Sequence, residues 1–311
     1  MDGDVIVTHG LTKIYGRQLG KGQKRSLDNL NLTVRRNEDF GFLGRNGAGK
    51  TTTIKILCSL LRPTSGWATV HGEPVTRRIA RRAIGFLPEN PYFYEYLTPR
   101  ETLDFYGKLH GLSPTARKET WERIGERLDL HRIADQRIRG FSKGMRQRLG
   151  FAVALVGDPP VLILDEPMSG LDPLGRRNIR ELILQMRGEG KTVFFSSHVL
   201  GDVEQICDRV GILVDGRLTT QGRIDDLLSR HIRHVEIILE GLTADQAMPL
   251  ANRALHTRIS EAGRHFVMDN AESADALVRD AYQMSGVRLV EFSPIRESLE
   301  DYFMREQETG S

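Results

Sequence analysis

The stretch Gly44-Arg45-Asn46-Gly47-Ala48-Gly49-Lys50-Thr51-Thr52 limits what this chain can fold into more than any other. Ahead of it runs Asp39-Phe40-Gly41-Phe42-Leu43, short, apolar and bounded by charge, the pattern of a buried strand. Behind it Ile54, Leu57 and Leu61 recur at helical spacing, which predicts a helix from Thr51 to Leu61 that stops at Arg62-Pro63. Strand, glycine-rich turn and helix together fit G-x-x-x-x-G-K-[ST]. In such a turn the main-chain N–H groups of Asn46, Gly47, Ala48 and Gly49 point inward, and the helix N-terminus adds partial positive charge. Lys50 can then reach the β- and γ-phosphates, the Thr51 hydroxyl can ligate Mg²⁺, and Thr52 follows on the first helical turn. A glycine-rich turn with a chance lysine has no need of both flanking elements. The chain is expected to bind a nucleoside triphosphate.

A second buried strand ends in acid. Val161-Leu162-Ile163-Leu164 has four apolar residues in a row, as in a parallel sheet covered on both faces. Asp165 and Glu166 follow at its C-terminal end, where open α/β sheets place ligands. Asp165 suits a Mg²⁺ ligand, and Glu166 suits the base that deprotonates an attacking water. A third apolar strand, Val193-Phe194-Phe195, runs into Ser196-Ser197-His198. On its own His198 reads as a structural histidine. On the same sheet edge as the acids, its imidazole could contact a γ-phosphate or orient the water.

The rest of the chain sets bounds. Its 311 residues leave room for one large and one small domain. A net charge of +3 is too small to argue for nucleic acid. No apolar run is long enough for a membrane span, and Met1-Asp2-Gly3-Asp4 is acidic, so a cytosolic location is expected. Cys58 and Cys207, far apart in apolar surroundings, read as reduced core residues.

Val5 to Thr8 and Leu30 to Val34 alternate as strands around a basic loop, Arg17 to Arg25, which reads as a solvated hairpin tip or a contact with an acidic partner. Tyr15, just before that loop, is by itself an ordinary packing residue. Ala68 to His71 and Ile84 to Leu87 are further short strands. Tyr92-Phe93-Tyr94-Glu95-Tyr96 is core if buried and a protein-binding patch if exposed. Residues 98–158 read as helical, with a capping box at Thr98-Pro99-Arg100-Glu101 and a helix over Thr120 to Leu130. Asp215-Gly216 marks a type I′ hairpin, and the large domain is expected to close near Leu228. Residues 229–311 show the order β-α-β-β-α-β of a small ferredoxin-like module, with a last helix over Arg296 to Met304.

With these motifs placed, residues 5–228 resemble the ATPase subunit of an ABC transporter. Gly44 to Thr51 and Val161 to Glu166 resemble the two nucleotide motifs of that family. Phe141-Ser142-Lys143-Gly144-Met145 stands where a Leu-Ser-Gly-Gly-Gln signature belongs, Ser169-Gly170-Leu171-Asp172 is similar to its D-loop, and His198 to its switch histidine. The signature departs at Phe141, Lys143 and Met145 but keeps Ser142 and Gly144. Glu89 stands where the family usually has glutamine. The resemblance implies an α/β P-loop (RecA-like) core with an N-terminal antiparallel β subdomain and a helical subdomain. It further implies that Tyr15 stacks on adenine, that Thr51, Glu89 and Asp165 hold Mg²⁺, and that Ser142 and Gly144 touch ATP held by a second copy.

The implied partners are thus a homodimer mate and a separate polytopic permease that holds the subunit on the inner face of the plasma membrane. Glu89 and the tail Leu299-Glu300-Asp301-Tyr302-Phe303 are similar to exporters of the ABC-2 type. Two rivals remain: a non-transport ABC ATPase acting on ribosomes or DNA, and a module that senses ATP without hydrolysing it. Only one cassette is present, the helical insert is too short for a coiled coil, and Glu166 and His198 speak against pure sensing.

Overall fold

The computed structural model describes residues 3–16, 23–228, 232–260, 262–296 and 299. Most of the expected basic loop (17–22) and most of the expected last helix lie outside these residues. The chain divides into two compact units, Met1–Arg223 and Ile224–Ser311.

In the first unit β1 (Asp4–Tyr15) and β2 (Lys24–Arg35) pair antiparallel. Both run further than the apolar alternation predicts. Register shifts around Gly10 and Asn29, which take positive φ of 56° and 54°, let pairing continue where the alternation breaks. Next come β3 (Asp39–Leu43), α1 (Lys50–Leu57), β4 (Ser65–Val70), β5 (Glu73–Pro74), α2 (Arg78–Arg82) and β6 (Ile84–Leu87). The helix α1 ends a turn earlier than the spacing predicts. Ser59 adopts φ 60°, and the N–H groups of Leu60 and Leu61 both fold back to Lys55 O, so the chain turns before proline is reached. Leu61 still packs on the core without being helical.

The helical part holds α3 (Pro99–Leu109), α4 (Pro114–Arg127) and α5 (Lys143–Leu155). Thr98 and Glu101 form the expected capping box on α3. The second helix starts at Pro114, not Thr120, because Ser113 caps a polar first turn that carries no apolar spacing. Then follow β7 (Val161–Asp165), α6 (Pro173–Gly188), β8 (Thr192–Ser197), α7 (Leu200–Glu204), β9 (Arg209–Val214) and β10 (Arg217–Arg223). Asp215 and Gly216 both take positive φ, 46° and 83°, as a type I′ turn requires.

Two sheets result. One is antiparallel, in the order β2-β1-β4-β5. The other has six strands in the order β10-β9-β3-β8-β7-β6, parallel from β9 to β6. Every residue of β3, β7 and β8 is buried, and Phe194 packs its ring on Phe40 and Phe42 at 5.8 and 5.3 Å. This order has one consequence for chemistry. Strand β8 lies between β3 and β7, so the three segments that leave their C-terminal ends emerge side by side.

In the second unit α8 (Ile224–Leu228) precedes β11 (Ile232–Glu240), α9 (Ala244–Ala251), β12 (His256–Ser260), β13 (Gly263–Met268), α10 (Ala271–Tyr282) and β14 (Arg288–Arg296). Arg296 therefore closes a strand where the sequence suggests the start of a helix. The sheet runs β12-β13-β11-β14 with antiparallel neighbours, the ferredoxin-like arrangement. Val235, Ile237, Leu239, Phe266 and Met268 face Leu250, Ala274 and Leu277 in its own core. Among the described residues no helix is long and apolar enough to cross a membrane. Cys58 and Cys207 are free thiols, and burial raises the pKa of both.

Candidate functional site

A cleft of about 500 Å³ opens at the C-terminal ends of β3, β7 and β8. Tyr15, Asn46, Gly47, Gly49, Lys50, Thr51, Thr52, Glu89, Glu166 and His198 line it together. The volume falls in the range usual for small-molecule sites. The loop that builds its floor depends on glycine for two different reasons. Gly47 takes φ 87° in open space, so only its conformation excludes a side chain. At Gly44 the φ is ordinary, but a Cβ would meet Leu213 O at 2.6 Å.

Lys50 is buried and its Nζ donates to Gly44 O at 2.6 Å. The same Nζ lies 3.2 Å from Glu166 Oε1. That oxygen is buried without an aligned donor, so the contact is an ion pair rather than a hydrogen bond. The other oxygen, Oε2, is 2.8 Å from His198 Nδ1. Glu166 sits one residue past β7 at φ 48°, a conformation that costs a non-glycine residue of order 1 kcal/mol. Ser196 holds it there: its Oγ accepts from Glu166 N at 2.9 Å and donates to Asp165 Oδ1 at 2.6 Å. One fully buried hydroxyl thereby fixes both acids.

Not every expected residue lies on the cleft surface. Asp165 is buried one residue behind it, and Ala48 contributes only as part of the loop. Ser142 and Gly144 are absent from the lining altogether. Ser142 instead caps α5, its Oγ accepting from Met145 N at 3.3 Å, and so keeps its own hydroxyl proton to donate. Four lining residues lie outside the expected set: Lys24, Ser26, Arg45 and Ser169. Ser26 Oγ is 2.9 Å from Thr52 Oγ1, which in turn is 3.4 Å from Tyr15 OH. That hydroxyl chain joins β2 to α1, and nothing local in the sequence announces it.

The donor set suits a hard cation. Thr51 and Glu89 bring oxygen donors to the cleft, and the Asp165 carboxylate lies one residue behind its surface. An ion that keeps few protein ligands and completes its shell with phosphate and water, as Mg²⁺ does, fits such a site.

Residues 27–169 match the ABC transporter family. An uncharacterized ABC transporter ATP-binding protein of Synechocystis, sll0415, is 42% identical over 311 residues, covering 97% of this chain and 84% of the relative. The chain belongs to the ABC transporter ATP-binding proteins. This ABC ATPase is also 36% identical to the bacitracin transport ATP-binding protein BcrA of Bacillus licheniformis, with 97% of this chain and 96% of that protein covered. Among solved structures it is similar to the dimeric bacterial ABC transporter cassette MJ0796, at 25% identity and a TM-score of 0.65, over 70% of this chain and 98% of that one. The ABC ATPase thus has its nucleotide motifs on the sheet edge where Lys50, Glu166 and His198 converge.

Proposed function

We propose that this ATPase is the motor of an exporter, working as a homodimer that closes around two ATP molecules and drives a separate membrane permease. The observation that carries the dimer is the separation of the two halves of the site. Lys50, Thr51, Glu166 and His198 share one cleft, while Ser142 and Gly144, which the family motif assigns to the same γ-phosphate, do not line it. A second copy can supply them. The dimeric cassette among the structural relatives supports this arrangement.

In each site Tyr15 stacks on the adenine, the loop N–H groups and Lys50 hold the phosphates, and Thr51, Glu89 and Asp165 would hold Mg²⁺. The ion, when bound, offsets charge on the β- and γ-phosphates. Glu166 Oε1, free of any aligned donor, accepts the proton of the attacking water, and His198 fixes the carboxylate through Oε2.

A transport role is supported by the full-length similarity to a bacitracin transport protein, which extends through the second unit, and the direction is taken from the resemblance of Glu89 to exporters of the ABC-2 type. The surface for the permease is the segment after Glu89. Tyr92, Tyr94 and Tyr96 are 81%, 52% and 66% exposed, while Phe93 is buried, so the aromatic run is a patch anchored by one core residue. Tyr94 packs edge-on against Phe105 of α3, which fixes the patch to the helical part. In the described state these rings face solvent, and burying them against a membrane partner would recover apolar area.

The dimer is tested by mixing subunits. Ser142→Arg and Lys50→Ala homodimers should each be inactive. An equal mixture should regain up to about a quarter of wild-type phosphate release, because half of the dimers are mixed and each mixed dimer holds one intact site. No recovery, with mixed dimers shown to form, would place Ser142 and Lys50 in the same site within one chain.

A further inference from the structure

Ser196 is completely buried in β8, in register with Phe42 of β3 on one side and Asp165 of β7 on the other. The pair Asp165 and Ser196 is the last rung between β7 and β8. Strand alternation sends the hydroxyls of Ser196 and Ser197 to opposite faces, and their partners differ. Ser197 Oγ stays local and accepts from Val199 N at 2.9 Å. Ser196 Oγ reaches across to β7.

The two groups that Ser196 meets have few alternatives. Asp165 is 3% exposed. Among the described residues its carboxylate has no ion pair, and its one hydrogen bond comes from Ser196. A carboxylate in the interior with a single neutral donor is poorly compensated, and it depends on that donor. Glu166 lies past the end of the ladder at positive φ, and its buried N–H goes to the same oxygen. Loss of one side chain would orphan both groups together. The two bonds also reinforce each other. The more strongly Asp165 accepts from Ser196, the more firmly Ser196 accepts from Glu166 N.

We propose that Ser196 is a positioning residue for ATP hydrolysis, coupling the acid that would hold Mg²⁺ to the acid that serves as base. This rests on the reading of Glu166 as the base. The hold on Glu166 N sets where its carboxylate stands between Lys50 and His198. Ser196 itself does not line the cleft, so it acts only through the two acids. Its contribution therefore falls on turnover and on the cation, not on nucleotide capture.

The test compares Ser196→Ala, Ser196→Cys and Ser196→Thr in the full chain. Cysteine keeps most of the volume but bonds weakly, whereas threonine keeps the hydroxyl. The alanine and cysteine variants should lose about 10- to 100-fold in kcat, the cost usual for removing a group that orients a metal ligand or a base. KM for ATP should stay within about twofold, since Gly44 to Thr52 are untouched. Mn²⁺ binding to the ADP complex, followed by electron paramagnetic resonance, should weaken about tenfold, and it needs no turnover. Ser196→Thr should bring both readouts back to within about threefold of wild type. Thermal unfolding checks each protein, and the cysteine variant carries the test if alanine leaves the chain unfolded. Unchanged kcat in a folded alanine or cysteine variant, with Glu166→Gln inactive, would overturn the role of Ser196 and leave the base in place. Slow turnover with unchanged Mn²⁺ binding would overturn the coupling. A folded threonine variant as slow as alanine would show that the hydroxyl is not the cause. Full turnover in Glu166→Gln would remove the base, and this inference with it.

Discussion

Glu166→Gln should lower ATP turnover by about 10²–10⁴-fold while leaving nucleotide binding intact or tighter. The side chains are nearly isosteric, so the strained backbone at φ 48° and the Ser196 bond to Glu166 N need not change. What disappears is the acceptor. Oε1 is buried, has no aligned donor and lies 3.2 Å from Lys50 Nζ. An amide there cannot take a proton from water. On the proposed reading it also removes a negative charge from beside the γ-phosphate, so affinity should not fall. Phosphate release and equilibrium nucleotide binding, measured on one preparation, separate the two effects. Full turnover in the variant would remove Glu166 as the base.

The parts of this site that were legible from sequence are those built from consecutive residues. Gly44 to Thr52 and Val161 to Glu166 each carry strand, turn and chemistry within a few positions, so pattern alone places them. Ser196 and Ser26 behave differently. Each is a serine whose role exists only because β8 lies between β3 and β7, or because β2 passes over α1. No spacing rule reports that. The end of α1 escapes the apolar spacing for a related reason. Leu61 keeps a helical spacing because it packs on the same core, although the helix has already ended at Leu57. Burial dictates the apolar position, and more than one backbone path satisfies it. In the second unit the β-α-β-β-α-β order is legible because short elements follow one another through short loops, whereas the helix expected from Arg296 is not, since β14 runs on to that residue. The aromatic run at 92–96 needed the structure, since exposure decides between core and docking surface.

Asp39 provides the second large effect, on stability rather than catalysis. In the sequence it is the charged boundary of an apolar strand, a place where acids are usually solvated. The structure buries it completely, and among the described residues neither carboxylate oxygen has a hydrogen-bond partner. The nearby arginines are committed elsewhere: Arg187 pairs with Asp208 at 2.7 Å and Arg209 with Glu38 at 3.0 Å. Desolvation, offset in part by Arg187 and reinforced by Asp208 and Glu38, pushes the carboxyl from 3.8 up to about 7. The folded chain therefore holds this proton more tightly than the unfolded chain does. Below pH 3.8 both states carry it and it has no effect on stability. From there to about pH 7 unfolding releases the proton, so stability falls as pH rises, and above pH 7 the loss is complete. The full span corresponds to about 4 kcal/mol. Asp28, Asp104 and Asp158, whose pKa values are lowered by basic partners, act in the opposite sense below about pH 4, so a wild-type profile alone would mix the two. The difference between wild type and Asp39→Asn isolates the buried group, because asparagine mimics the protonated form at every pH. Denaturant unfolding should find the two proteins within about 1 kcal/mol at pH 4 and the variant more stable by about 4 kcal/mol at pH 8. A gap that does not widen with pH would mean that Asp39 ionises at the ordinary carboxylate value despite its burial.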